Sequence, residues 1–156
     1  MVNKNLVGRC GLYCGNCSVY RAYKDSRELQ EIVAKRHGCL PEEVKCDGCQ
    51  TADLHGWSQE KDWGKNCKIL KCLNSRKLKF CYECIEYDTC KIFDEFAKMN
   101  SKIGMDIKEN LQMIKNGKIK EWLLEQDKKW RCPSCGNPIA VSSYLRNCHW
   151  CGHKLQ

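Results

Sequence analysis

Histidine is scarce in this sequence, with four in 156 residues, at positions 37, 55, 149 and 153. The common catalytic signatures are missing as well. There is no HExxH, no GxxxxGKS/T, no GxSxG and no HxE paired with PCxxC, which removes the zinc-protease, P-loop, serine-hydrolase and zinc-deaminase classes. No run approaches the roughly 18 uninterrupted apolar positions of a membrane helix, and mean hydropathy is −0.62. The opening residues, MVNKNLVGRCGLYCGNC, contain no apolar h-region and no small-residue cleavage site. A soluble, cytoplasmic protein with no membrane partner is expected. There is also no low-complexity tract and no repeat of fixed period beyond recurrent CxxC pairs.

Cysteine, by contrast, is abundant, with 15 residues in a chain that is 42% hydrophobic. Apolar burial alone leaves a chain of this size little surplus over the conformational entropy lost on folding, so cross-links are expected. A reducing compartment disfavours disulfides. The odd count suits metal ligation, in which thiolates need not pair off. The formal charge of +8 at first suggests an acidic partner. Each four-thiolate zinc site subtracts two charges, however, and three such sites would leave about +2. The basic balance therefore reads as an ordinary lysine-rich surface.

The cysteines divide the chain by composition: eleven in residues 1–95, none in 96–131 and four in 132–156. The predicted organisation is a cysteine-rich metal-binding domain over 1–98, a helical connector over 99–131 and a zinc ribbon over 132–156. In the first part, Asp25 and Glu28 have capping-box spacing before LQEIVAKRH, with Gly38 as the stop, so a helix is predicted over about 26–37. Further helices are predicted near 67–78 and near 88–98. In the connector, Ile103, Ile107, Leu111 and Ile114 recur every three or four residues, Gly117 stops the run, and IKEWLLEQDKKW restarts it as the second arm of a helical hairpin. After Trp130 the pattern changes to Pro133, Gly136, Asn137 and Pro138, followed by the β-leaning Ile139, Ala140 and Val141. The expected fold class is a small metal-stabilised α+β protein: a mostly helical cysteine-rich N-terminal domain, a helical connector and a C-terminal zinc-ribbon β module.

The strongest motif is WRCPSCGNPIAVSSYLRNCHWCG, in which twelve residues separate two CxxC pairs. Two residues between cysteines let a tight turn aim both sulfurs at one metal, and a short return brings the second pair to complete four thiolates. Cys132, Cys135, Cys148 and Cys151 are thus predicted to bind zinc. Gly136 and Gly152 follow the pairs and permit the turns. His149 and His153 are expected on the surface or behind the ligands, and Trp150 as a shield of the metal.

In the first part, Cys14 with Cys17, Cys46 with Cys49, and Cys81 with Cys84 form three further CxxC pairs. The preferred partition joins the first two pairs into one site, and joins Cys81 and Cys84 with two of Cys67, Cys72 and Cys90 into another. Three cysteines then remain, either as free thiols or as a third cluster that recruits His37 or His55. The spacing of Cys10, Cys14 and Cys17 resembles the cluster signature of radical S-adenosylmethionine enzymes. A chain this short and poor in strands has no barrel to surround such a cluster, and Asn16 stands where that family carries an aromatic residue, so that chemistry is set aside. Four thiolates serve zinc and iron–sulfur clusters alike. Cys39 lies close to His37, but adjacency along the chain is poor grounds for a catalytic dyad.

The stretches CGLYCGNCSVYRAY, CDGC, CKILKC and FCYECIEYDTC, roughly residues 8–98, resemble a cysteine-rich prokaryotic family known as domain of unknown function 3795. NLQMIKNGKIKEWLLEQDKKWRCPSCG is similar to an extension that some of its members carry. The resemblance implies a metal-binding role for Cys10, Cys14, Cys17, Cys46, Cys49, Cys67, Cys72, Cys81, Cys84 and Cys90, and no activity. The expected protein is a zinc-binding interaction module without a catalytic role, holding two to three or more zinc ions and meeting an unknown macromolecular partner, protein or nucleic acid. Its oligomeric state is not legible. One alternative is an iron–sulfur or thiol redox protein using the N-terminal cysteines. Another is a nucleic-acid-binding zinc protein, suggested by Lys115, Lys118, Lys120, Lys128, Lys129 and Arg131 with Trp122 and Trp130 nearby. An enzyme with an open metal position would need three protein ligands and a water, and nothing in the sequence supports one.

Overall fold

The computed structural model describes residues 2–58 and 63–155, with the side chains of Leu54 and His55 also outside the description, so the suggested ligand role of His55 falls outside the described residues. The chain is helical: α1 (Ser18–Asp25), α2 (Arg27–His37), the short α3 (Ala52–His55), α4 (Lys68–Arg76), α5 (Lys91–Ser101), α6 (Ile107–Lys115) and α7 (Ile119–Lys129), joined by 3₁₀ turns. Helix α1 had no separate signal, because only Ser26 divides it from α2. Ser26, rather than Asp25, caps α2, its hydroxyl accepting the Leu29 N–H at 3.2 Å. Gly38 ends α2 in the left-handed conformation, with φ 66°. The hairpin forms, with Ile103 in the turn before α6 instead of on its stripe: the Asp106 carboxylate caps α6, and Gly117, at φ 76°, turns the chain into α7.

The largest apolar core draws on both the cysteine-rich part and the hairpin. Val7, Cys10 and Tyr13 from the N-terminal loops, Ile69 and Leu73 from α4, and Phe93 from α5 meet Ile107, Leu111 and Ile114 of α6 and the fully buried Trp122 of α7. The Tyr13 ring stands edge-on to Trp122 at 6.0 Å. A buried polar chain runs beside it: Gln126 donates to Asn110, and Asn110 donates to the carbonyl of Gly11 at 2.8 Å. At Gly11 any Cβ would lie 2.4 Å from the Ile107 carbonyl oxygen, so this glycine sets how closely the cysteine loop sits against α6. A second core joins α1 and α2 to Val44, Trp57 and Ala140.

The α+β class and its C-terminal zinc-ribbon β module are not what forms. Among the described residues there is no strand and no sheet, and the C-terminal segment carries isolated bridges only, such as Arg131 with Pro138 and Asn147 with Lys154. The physical reason is length and partnership. Ile139, Ala140 and Val141 are too few to build a ladder between two tight turns. Their polar groups are also spent elsewhere, since the Ile139 N–H goes to the Trp130 carbonyl and the Val141 N–H to the Asn16 carbonyl at 2.8 Å. Ile139 and Ala140 bury as packing residues instead of as one face of a sheet.

Candidate metal centre

The two C-terminal CxxC pairs fold into two turns with the same hydrogen-bond plan. In the first, the Cys132 N–H donates to the Asn137 carbonyl at 2.8 Å and the Gly136 N–H to the Cys132 carbonyl at 2.9 Å. In the second, Cys148 donates to His153 and Gly152 to Cys148, each at 2.8 Å. Gly136 and Gly152 take φ of 73° and 76° with open space where a Cβ would stand, so backbone conformation is what calls for glycine there. The turns face each other. Cys132 Sγ lies 3.7 Å from Cys151 Sγ, Cys135 Sγ lies 3.8 Å from Cys148 Sγ, and all four sulfurs are within 4.8 Å of one another. Cys132 and Cys148 are buried, whereas Cys135 and Cys151 are exposed.

This group could hold a metal ion, and its geometry can be checked against one. A tetrahedron of thiolates at the usual zinc–sulfur length of about 2.3 Å has edges of about 3.8 Å, which the two sulfur pairs match. Electrostatics also favour a cation. Backbone N–H groups of Cys135 and Ser134 and the neighbouring thiols hold the Cys132 thiol down to about 6. Burial pushes Cys148 up to about 12 despite the amides of Trp150 and Cys151. Cys132 thus leans toward the thiolate form that a cation recruits, and metal binding to thiols displaces protons.

The segment carrying these turns is docked on α1 and the loop before it. Tyr144 donates to Ser18 at 3.3 Å, and His149 Nε2 lies 2.9 Å from Asp25 Oδ2, with Arg21 3.2 Å from the same oxygen. His149 is therefore not on the surface but held against α1, with its side chain only 8% accessible. Asp25 and His149 are 124 residues apart, and no local pattern could have paired them. His153 is exposed, and Trp150, 42% accessible, donates its ring N–H to the Pro138 carbonyl.

The N-terminal thiols are arranged differently. Cys17, Cys67 and Cys90 occupy the N-cap positions of α1, α4 and α5. Cys14 accepts the Cys49 N–H at 3.3 Å, and its thiol is raised by its contact with the Cys49 thiol and by burial. Cys46 is pushed up to about 12 by burial and by the neighbouring Cys17. Cys14, Cys17, Cys46 and Cys49 are thus one electrostatic neighbourhood. Cys72, Cys81, Cys84 and Cys90 line one cavity, and Cys81 is pushed up to about 12 by burial and by the thiols around it, Cys67 included. Cys10 is buried in the main core and feels Cys49, Cys81 and Cys67. Cys39 follows the end of α2, and His37 stacks edge-on against Trp57 and Tyr144. Among the described residues, only the C-terminal cysteines bring three or more ligand atoms within 4.8 Å of one another.

The surface suggested for nucleic acid is differently disposed from the sequence pattern. Trp122 is wholly buried, and Arg131 makes a two-pronged pair with Asp127 and also donates to the Gly136 carbonyl. No helix among the described residues is long and apolar enough to cross a membrane.

Residues 6–95 match the family described as protein of unknown function (DUF3795), which is more than half of the chain. The chain belongs to this family. The DUF3795 region contains all eleven N-terminal cysteines and stops short of the C-terminal four. No curated protein and no solved structure matches the chain.

Proposed function

We propose that Cys132, Cys135, Cys148 and Cys151 hold one structural zinc ion, and that this DUF3795 protein is a zinc-binding interaction module, not a catalyst. The observation that carries the reading is the pair of sulfur–sulfur distances, 3.7 and 3.8 Å, at the edge length of a zinc tetrathiolate. Four thiolates leave such an ion no open position for water or substrate, so its role is to fasten structure. What it fastens is the segment 132–156, whose own apolar core is as small as Cys132, Ile139 and Cys148 with a few neighbours. In this reading 1–98 is the cysteine-rich body, 99–131 the connector that packs on it, and 132–156 a metal clasp over α1 that shapes a surface for a macromolecular partner.

The test is zinc content by elemental analysis, with Cys135→Ser/Cys151→Ser as the comparison, since both residues are exposed and their replacement leaves the buried pair in place. One zinc per chain that disappears in the double variant supports the reading. A zinc content unchanged by the double variant overturns it.

A further inference from the structure

Net charge does not separate a docking surface from a solvated one, but the distribution and pairing of charge do. Residues 63–82 hold six basic side chains and no acidic one, in a chain with 19 acidic residues in 156. Helix α4 lies in the middle of this stretch. Ile69, Leu70 and Leu73 bury one side of it. The helical repeat then leaves Lys68, Lys71 and Ser75 on the other side, where all three are exposed. Lys65 precedes the helix and Lys77 and Lys79 follow it, and these are exposed as well.

The carboxylates that reach α4 and its flanks are engaged by other groups. Glu83 accepts the backbone N–H groups of Lys79 and Phe80, Glu86 pairs with Arg76, and Asp53 accepts from Asn74 and lies 3.9 Å from Arg9. Among the described residues no carboxylate pairs with Lys65, Lys71, Lys77 or Lys79, whereas Lys24, Arg27, Lys98 and Lys108 each have such a partner.

Lys77 is also the one non-glycine residue, among those described, with a positive φ, 57°. The same left-handed place at the end of α2 is filled by Gly38, the residue type that adopts it without strain. The helix dipole favours a cation near a C-terminus, but Arg76 in the last turn already supplies one. Aromatic rings stand at both ends of the basic stretch. Trp63, 38% exposed, opens the turn that leads into α4 and leans on Phe96 at 5.2 Å. Beyond the helix, Phe80 and Tyr82 stack at 5.4 Å, with the Lys79 ammonium over the Phe80 ring. Unpaired cations flanked by rings suit a partner that offers both phosphates and unstacked bases. A duplex keeps its bases stacked, and a bilayer calls for apolar residues on the docking face, where α4 has Lys68, Lys71 and Ser75.

We infer that single-stranded nucleic acid docks on the exposed face of α4, with Lys65, Lys71, Lys77 and Lys79 against its phosphates and Trp63 stacked on a base. The inference takes from the reading above only the interaction role, and it shares no residue with the zinc site. Its test is fluorescence anisotropy of a labelled, mixed-sequence DNA single strand titrated with the full chain at salt between about 50 and 200 mM. Four phosphate contacts predict that the logarithm of the binding constant falls with the logarithm of salt at a slope of about −3. Lys71→Gln/Lys79→Gln should flatten that slope by about 1.4, and Lys77→Gly, which suits the backbone there, by about 0.7. Trp63→Ala should weaken binding about tenfold and leave the slope as it is. Lys115→Gln/Lys118→Gln/Lys120→Gln, in the connector, should keep the wild-type slope. Circular dichroism checks that each variant is folded. No binding at the low-salt end, a slope unmoved in the α4 variants, or a slope flattened by the connector variant instead overturns the inference. So does tighter binding to the duplex of the same sequence, or to vesicles of phosphatidylserine and phosphatidylcholine. A chain with one zinc that binds no oligonucleotide overturns this inference alone. A chain without zinc that binds at the expected slope overturns the zinc reading alone.

Discussion

Replacing Asp25 with asparagine tests how the metal clasp is held to the helices. The Asp25 carboxylate is 6% accessible, accepts a hydrogen bond from His149 and is ion-paired with Arg21, themselves 8% and 13% accessible. Asparagine keeps the size of the side chain and removes its charge. A hydrogen bond to a buried charged group contributes about 1.5–3 kcal/mol, and the partners left behind have little water to turn to. We therefore expect a loss of about 2–3 kcal/mol. For a chain of this length each kcal/mol is worth about 2–4 °C, so melting of the metal-loaded protein should fall by about 4–12 °C. The assay is thermal unfolding followed by circular dichroism at one fixed metal concentration, because bound metal itself shifts the midpoint. Hydrogen exchange at the Val141 amide, bonded to the Asn16 carbonyl, should quicken in parallel, since it reports the same docking. Glu42→Gln is the control. It breaks the exposed pair with Arg27 and should barely move the midpoint. A melting temperature for Asp25→Asn within about 1 °C of wild type, or a shift no larger than that of Glu42→Gln, would refute the reasoning.

Trp122→Ala should cost about 3–5 kcal/mol in urea titration, because the ring is fully buried against Tyr13 and the hairpin core. Gly48→Ala should destabilise clearly more than Gly117→Ala. Both take positive φ, but a Cβ at Gly48 would lie 2.2 Å from the Asn5 carbonyl oxygen, whereas Gly117 faces open space. Acid should strip the C-terminal metal. With metal bound, the folded chain holds thiolates at pH values where unfolded thiols, with a pKa of about 8.5, carry protons. The unfolded state then binds more protons, so the stabilisation is fully present above that value and is lost as pH falls. Melting at stepwise lower pH with zinc release read by a chelating dye checks the direction, and a midpoint that rises on acidification would contradict it.

Local signals were the legible part of this chain. The 3.6-residue stripe and the glycine stop draw both arms of the hairpin, and the CxxC spacing marks the C-terminal four, whose sulfurs the fold brings within 4.8 Å of one another. What escaped was set by contacts distant in sequence. Asp25 has the spacing of a helix cap, yet Ser26 takes that place because the aspartate is held by Arg21 and His149. From sequence His149 reads as a residue on the surface or behind the ligands; its place against Asp25 appears only once α1 is packed against it. The short Ile139–Val141 run leans towards strand in composition, but its amides are claimed by Trp130 and Asn16, and without a partner strand intrinsic preference does not make a sheet. Trp122 and Arg131 belong to a basic, aromatic stretch in one dimension and to a core and an ion pair in three. For the eleven N-terminal cysteines, spacing identifies pairs. Which pairs share a cavity depends on how α4 and α5 meet.

X-ray absorption at the zinc edge tests the proposed zinc site most directly. Four sulfur neighbours at about 2.3 Å are expected, with no nitrogen or oxygen in the shell. A shell containing nitrogen or oxygen at about 2.0 Å, or a zinc signal that survives Cys135→Ser/Cys151→Ser unchanged, would contradict it.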